Sequence, residues 1–330
     1  MDSAAGLRRT PPPQCPACRK DSWVLRYTEV TDRLLGVPGS FSVWACPGCG
    51  ILRLWPVPED LSAYYPPEYS AYIAPLIEIG KKRPWHSRQW AISLGPDGAL
   101  RQLARGRLKS NEIARLLWEA LDEGWVPRSF LDYGSGTGRA LRYAEQLGMR
   151  PVGVDRSSNT LKAAHASGLD LRVGSYEDLP LDGEVFDIIH LSHVLEHVLE
   201  PVEALSALRP HLDPNGRIVV LVPNAGGGLA ELFGADWFQL DAPRHLWGFT
   251  PNSLELAMRE AGFEVVKTSF NGAGHAIYES IRYSMERSGS GHALPEPPDL
   301  DVIAGLDNLA SFWNAHEAGD AMMMVGKVMA

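Results

Sequence analysis

Hydrophobic positions follow two different rhythms along this chain. Near the start, Trp23-Val24-Leu25-Arg26-Tyr27 and Phe41-Ser42-Val43-Trp44-Ala45 alternate and are rich in β-formers, which predicts two half-buried strands. Further on, short apolar runs at 151–155, 169–173, 185–191 and 217–222 are spaced by helical patterns such as Ile113 to Leu121 and Leu141 to Leu147. Continuous apolar strands alternating with helices predict a doubly wound α/β sheet. Leu212-Asp213-Pro214-Asn215-Gly216 reads as the turn into the strand at 217–222. Pro251 to Ala261 reads as a helix with Thr250 as N-cap and Gly262 as its stop. Phe263 to Phe270 and Ala321 to Val328 read as the last strands, and the long stretch between them predicts a helical insertion at 272–318 with a loop from Gly289 to Pro298. Trp313, His316 and His292 in that insertion are read as packing or surface residues.

The run Phe130-Leu131-Asp132-Tyr133-Gly134-Ser135-Gly136-Thr137-Gly138-Arg139 joins an apolar strand to three alternate glycines that open a helix. Such glycines let the backbone bend sharply and approach a bound molecule, and the first helix amides face that molecule without intrahelical partners. A dinucleotide fingerprint, G-x-G-x-x-G, would need glycine at position 139, where this chain has arginine. What remains is a D-x-G-x-G-x-G form. A second acid, Asp155, ends the next apolar run about twenty residues on, where ribose hydroxyls are received. Together these predict a nucleoside site.

With Gly174-Ser175-Tyr176-Glu177-Asp178-Leu179-Pro180 and Phe186-Asp187-Ile188-Ile189-His190-Leu191-Ser192-His193-Val194-Leu195-Glu196-His197 following in order, the chain from about residue 110 to 330 resembles the class I S-adenosylmethionine-dependent methyltransferases. The resemblance implies a Rossmann-like seven-stranded sheet whose last strand is antiparallel. It also implies a glycine loop (Gly134, Ser135, Gly136, Gly138) on the methionine part of the cofactor, Asp155 on the ribose, and Asp178 with Leu179 on the adenine. Asp132 would hold the loop and contact the cofactor, and His193 would lie near the reactive methyl group.

Length and composition are consistent with this. At 330 residues, 45% hydrophobic and 22% charged, the chain can bury a full domain and a smaller one. A net charge of -9 argues against a general nucleic-acid binder. There is no run of eighteen apolar residues, and Arg8-Arg9 lead into Pro11-Pro12-Pro13 rather than an apolar segment, so neither a membrane span nor a signal peptide is expected and a cytoplasmic location follows.

All four cysteines lie in the first fifty residues, as Cys15-Pro16-Ala17-Cys18 and Cys46-Pro47-Gly48-Cys49. Two C-x-x-C pairs around a hairpin can present four thiolates to structural zinc; the alternatives are two disulfides or a redox pair, which the absence of an export signal disfavours. Residues 1–60 therefore read as a zinc-ribbon-like module, 61–109 as a linker or helical cap, and 110–330 as the main domain. In the linker, tyrosines including Tyr69 and Tyr72 either line a substrate mouth or pack the module down. Residues 81–109 carry eight Lys and Arg against one acid, either a seat for a phosphate or acidic carrier or a solvated face.

His193-Val194-Leu195-Glu196-His197 matches the H-x-x-E-H pattern of inverted zinc peptidases, but that motif needs a long helix and here it follows a strand. The connection from Pro223 to Thr250 has Gly226-Gly227-Gly228 followed by aromatic and charged residues, the content of a mobile lid. Asn224, Trp237 and Arg244 are candidate acceptor contacts there, or else Arg244 and His245 tie the segment down. His193 and His245 are rival general bases. The layout also resembles sugar C-methyltransferases with an amino-terminal four-cysteine site. The expected function is methyl transfer to a small metabolite or sugar-type acceptor, which could be phosphorylated or carrier-bound. An RNA methyltransferase docking through the ribbon and basic segment is a second reading, and a non-catalytic cofactor-binding protein a third.

Overall fold

The computed structural model describes residues 12–66, 125–158, 168–289, 294–295 and 298–329. Tyr69, Tyr72, the basic segment 81–109, the helix expected at Ile113 to Leu121, and His292 lie outside the described residues.

A main sheet of seven strands runs in the order β10-β11-β8-β7-β4-β5-β6. These are β4 (Ser129–Tyr133), β5 (Arg150–Asp155), β6 (Leu171–Val173), β7 (Phe186–Ser192), β8 (Leu212–Pro223), β10 (Phe263–Asn271) and β11 (Ala321–Val328). The pairs β8–β7, β7–β4, β4–β5 and β5–β6 are parallel, while β11 is inserted antiparallel between β8 and β10. The doubly wound sheet and its antiparallel last strand are as the sequence led one to expect. The 212–216 segment is already strand: Leu212 pairs with Phe186, and a register shift separates that pair from Ile188 and Arg217. The third strand is shorter than the expected 169–173: it begins at Leu171, and Leu169 packs close to Gly138 of the glycine loop.

Side chains on successive strand residues point to opposite faces, and the core divides accordingly. Leu131, Val152, Ile189, Leu191, Val220, Val222 and Met324 belong to one buried cluster; Phe130, Ile188, Val219, Leu221 and Met323 belong to the other. The second face is covered by α1 (Arg139–Gln146) through Leu141 and Ala144, and the first cluster takes in Ala204 and Leu205 of α2 (Pro201–Leu208). The first cluster continues without a break into Cys15, Cys46, Cys49, Ile51 and Leu54, so the amino-terminal module shares a core with the main domain.

That module is a second sheet, ordered β1-β2-β3-β9, with β1 (Val24–Val30), β2 (Phe41–Ala45), β3 (Leu52–Leu54) and β9 (Trp247–Gly248). Its fourth strand comes from the 223–250 connection, pairing Leu52 with Gly248 and Arg53 with Trp247. The buried Arg53 guanidinium lies 3.8 Å from the Trp247 ring centroid, a cation–π contact of about 1–2 kcal/mol. The connection expected to be a lid thus has a short helix α3 (Gly228–Phe233), two 3-10 turns and a strand locked into the ribbon sheet.

Thr250 caps α4 (Pro251–Glu260) as expected: its Oγ1 accepts from Ser253 N at 3.2 Å, Ser253 Oγ accepts from Thr250 N at 2.8 Å, and Pro251 fills the first turn. The same Oγ1 lies 2.9 Å from Cys49 O as a donor, so a helix cap also tethers a cysteine knuckle. The insertion is helical as expected, with α5 (Gly274–Ser288) and α6 (Leu300–Ala315). Among the described residues, no helix is long and apolar enough to cross a membrane.

Candidate active site

The strand order reverses at β4, which has β7 on one side and β5 on the other, and the crevice outside the carboxyl ends of such strands is where α/β sheets bind ligands. The glycine loop occupies it. Gly134, Gly136 and Gly138 all have positive φ, at 78°, 50° and 84°. This left-handed backbone is costly for residues with a Cβ. Space enforces the choice as well: a Cβ on Gly134 would lie 2.3 Å from Val194 Cγ2, and one on Gly138 would lie 2.6 Å from Leu169 Cδ1.

Asp155 is bound to this loop. Its Oδ2 accepts from Gly136 N and its Oδ1 from Ser157 N, both at 2.8 Å. Burial raises its pKa above the ordinary value, partly offset by those two amides. Asp178 is exposed in the turn after β6, its N donating to Ser175 O at 3.1 Å, with Leu179 half-buried beside it. Ser135 is buried under the loop. Three left-handed glycines, their amides satisfied within the protein, let the backbone come close, and the carboxylates after β5 and β6 can accept from the hydroxyls and amine of a nucleoside cofactor.

Asp132 is the residue expected to hold the loop and contact the cofactor. It is buried, and its Oδ1 lies 2.8 Å from Nδ1 of His190, its register partner on β7. A carboxylate buried between strands needs such a partner, and His190 supplies it beneath the strand end that leads into the glycine loop.

The H-x-x-E-H segment forms no long helix: His193 closes β7 with φ 53°, and only a 3-10 turn, Leu195–His197, follows. The two histidines therefore do not share a helix face. His193 remains 39% exposed, with Nδ1 3.2 Å from Oε1 of the fully buried Glu196. Burial alone would raise the Glu196 pKa; the hydrogen bond from His193 and the surrounding imidazoles overcome it and hold the carboxyl at about 2. A positive φ on a non-glycine residue at a strand end is a strained geometry of the kind retained at functional sites. His197 faces inward, its Nδ1 donating to Arg244 O at 3.0 Å, and burial together with neighbouring His245 lowers its pKa to about 4. His245 is 10% exposed, donates from Nδ1 to Gln239 O at 2.7 Å, and meets the His197 ring edge-on at 4.6 Å.

The three acceptor-contact candidates of the connection have their polar atoms turned to protein. Asn224 is fully buried, donating to Gly319 O at 3.0 Å and accepting from Gly226 N at 3.1 Å. Trp237 donates from Nε1 to Asp320 Oδ1 at 2.6 Å. Arg244 is 0% exposed, clasped by Asp32 and Asp241. These bonds tie each of the three to the body, which for Arg244 is the alternative that the sequence left open. His190, Asp32 and Tyr65, whose hydroxyl lies 3.0 Å from His197 Nδ1, carry no local sequence signal for these roles, whereas Glu196 was visible only as part of the H-x-x-E-H run.

The four cysteines converge. Cys15 Sγ and Cys49 Sγ are 3.6 Å apart, Cys18 Sγ and Cys46 Sγ are 3.4 Å apart, and all four sulfurs lie within 4.8 Å of one another. A tetrahedral zinc with Zn–S of about 2.3 Å has sulfur–sulfur edges of about 3.8 Å, so the quartet is close to that size.

The chain matches the sequence profile described as "Methyltransferase domain" over residues 103–268. The chain belongs to this methyltransferase domain family. Among similar proteins, a ubiquinone biosynthesis O-methyltransferase of Cereibacter sphaeroides is 35% identical over 148 residues, 41% of this chain and 60% of the relative. Another of the same name from Roseobacter denitrificans is 33% identical over 172 residues, 48% of this chain and 67% of the relative. Among solved structures, a SAM-dependent methyltransferase from Archaeoglobus fulgidus aligns with TM-score 0.44 and 21% identity, covering 69% of this chain and 94% of that one.

Proposed function

We propose that this protein transfers the methyl group of S-adenosylmethionine to an oxygen of a small-molecule acceptor. The observation that carries the reading is the left-handed glycine loop hydrogen-bonded to Asp155 at the reversal point of the sheet. The relatives named O-methyltransferases support an oxygen acceptor.

The cofactor would be held by Gly134, Ser135 and Gly136 on one side and by Asp155, Asp178 and Leu179 on the other, and when bound it supplies an electrophilic methyl group. The remaining work falls to positioning, to exclusion of water, and to removal of the acceptor proton. His193 is assigned as the base that takes that proton on Nε2. Its Nδ1 is engaged by Glu196, which fixes the ring and stabilises the imidazolium once the proton arrives. His245 is the weaker candidate, because its ring is packed against His197 and nearly buried. Zinc on Cys15, Cys18, Cys46 and Cys49 would be structural, all four ligand positions being thiolate.

The test is calorimetric titration of S-adenosylmethionine, followed by methyl-label transfer to hydroxyl-bearing metabolites, with quinone-related, sugar-linked, phosphorylated and carrier-bound acceptors as separate arms. Asp155→Ala should weaken cofactor binding by at least about 100-fold, through loss of the charge-assisted hydrogen bonds its carboxylate would make to the ribose. His193→Ala should leave binding intact and lower turnover by about 10²–10⁴. Absence of cofactor binding in the unaltered protein would refute the proposal.

A further inference from the structure

A second cluster of metal-ligating side chains stands apart from the cysteines. Glu196 and His197 come from the turn after β7, and His245 from the connection leading to β9. Each offers one ligand atom, and these atoms all lie within 4.8 Å of one another. The imidazoles are already set for coordination. His197 Nδ1 and His245 Nδ1 each donate to a backbone carbonyl, of Arg244 at 3.0 Å and of Gln239 at 2.7 Å. A carbonyl can only accept, so in each ring Nδ1 is the atom turned to the carbonyl and Nε2 the atom turned away from it; the Tyr65 hydroxyl is the other neighbour of His197 Nδ1, at 3.0 Å. This is the outer-shell arrangement that orients metal-binding histidines. Glu196 supplies an independent sign: it is 0% exposed, Oε1 accepts from His193, and Oε2 is buried with no hydrogen-bond partner. A carboxylate oxygen left thus is costly unless a cation completes it.

We propose that Glu196, His197 and His245 form a binding site for a divalent transition-metal ion, distinct from the four-cysteine site. Two imidazoles and one carboxylate suit Zn2+, Fe2+ or Co2+, whereas Mg2+ and Ca2+ favour all-oxygen shells. Bond lengths near 2.0–2.2 Å put the ligand atoms of a tetrahedral ion about 3.4 Å apart, so the rings must close by about an ångström on binding. Three protein ligands are one short of a tetrahedral shell; His193 bonds the same Glu196 carboxylate, and Asp241 Oδ2 lies 3.9 Å from His245 Nε2. The site stands on its donor set alone and does not depend on the methyl-transfer reading.

The test is Co2+ loading of the full-length protein with zinc already on the cysteines, read by elemental analysis after gel filtration and by pulsed EPR for imidazole nitrogen coupling. Two metal equivalents per chain are expected, one of them cobalt with nitrogen coupling, undisturbed by excess Mg2+. Glu196→Gln and His245→Ala should each remove the cobalt and spare the zinc, and retained zinc shows that the variant has folded. The inference is overturned if the unaltered protein takes up no second equivalent, if that equivalent lacks nitrogen coupling or is displaced by Mg2+, or if it persists in either variant that keeps its zinc. Should the variants lose zinc through misfolding, the stoichiometry and nitrogen coupling of the unaltered protein still decide.

Discussion

Arg244 and Asp32 form a bidentate ion pair with both side chains at 0% exposure: Nη2 donates to Oδ1 at 2.7 Å and Nη1 to Oδ2 at 3.1 Å. Asp241 holds the guanidinium from the other side, and Asp32 also accepts from the amides of Leu34, Leu35 and Val37. The ribbon loop is thereby fixed to the segment that presents His245. Removing one partner of a buried pair strands the other charge. Asp32→Ala should therefore cost about 3 kcal/mol, the lower part of the usual range because Asp241 remains, measured as a lower urea midpoint at unchanged slope.

The same pair sets a dependence on acid. Burial pushes the Asp32 carboxyl up, but the Arg244 hydrogen bond and the loop amides win and leave its pKa below the ordinary 3.8. A carboxyl with a depressed folded pKa contributes in full above its unfolded value and loses that contribution as pH falls through the folded one. The stability gap between the unaltered protein and Asp32→Asn should hold constant from neutrality to about pH 4 and narrow below it. Urea melts of the two at pH 6 and pH 3 measure this, and an unchanged gap at pH 3 would contradict it.

Gly134→Ala separates two costs. The φ of 78° strains any residue with a Cβ by about 1–2 kcal/mol, and the new methyl would overlap Val194 Cγ2 at 2.3 Å. The single variant should lose about 2–4 kcal/mol of stability and bind S-adenosylmethionine more weakly. Adding Val194→Ala should relieve the overlap but not the backbone strain. Full rescue by the second change would show that conformation at Gly134 does not matter.

Zinc removal should be felt at β9. Cys49 O accepts from Thr250 Oγ1 and Asn252 Nδ2, and Leu54 N donates to Leu246 O at 2.9 Å, so the knuckle, β3 and the segment after His245 are one unit. Thiol modification with zinc chelation should release one zinc per chain and speed hydrogen exchange at Leu54, whose amide makes the strand bond, more than at the β4 amides. Exchange confined to residues 15–49 would break the proposed linkage.

Much of the fold was legible in the sequence because its signals are local. An apolar run, a glycine every second residue and a capping Thr-Pro pair each declare themselves within a few positions, so β4, the loop at Gly134 to Gly138, α4 and β11 could be read directly. The three acceptor-contact candidates show the boundary of such reading. Asn224, Trp237 and Arg244 look like ligand-facing polar residues in a glycine-rich connection, yet their partners, Gly319, Asp320 and Asp32, lie 95, 83 and 212 positions away, and no local pattern reports that they are satisfied. The H-x-x-E-H run divides in the same way. Its residue types were visible, but His193 faces solvent and His197 the interior because a strand end and a single 3-10 turn, rather than a helix, set their directions. By itself the sequence determined the order of strands and helices, the cofactor-type loop and the cysteine quartet, all of which depend on near neighbours along the chain. Only the tertiary structure decided that the connection becomes the ribbon's fourth strand and brings His245 to Glu196 and His197, because burial, charge pairing and edge-strand hydrogen bonding are settled by residues that meet only when the two sheets pack.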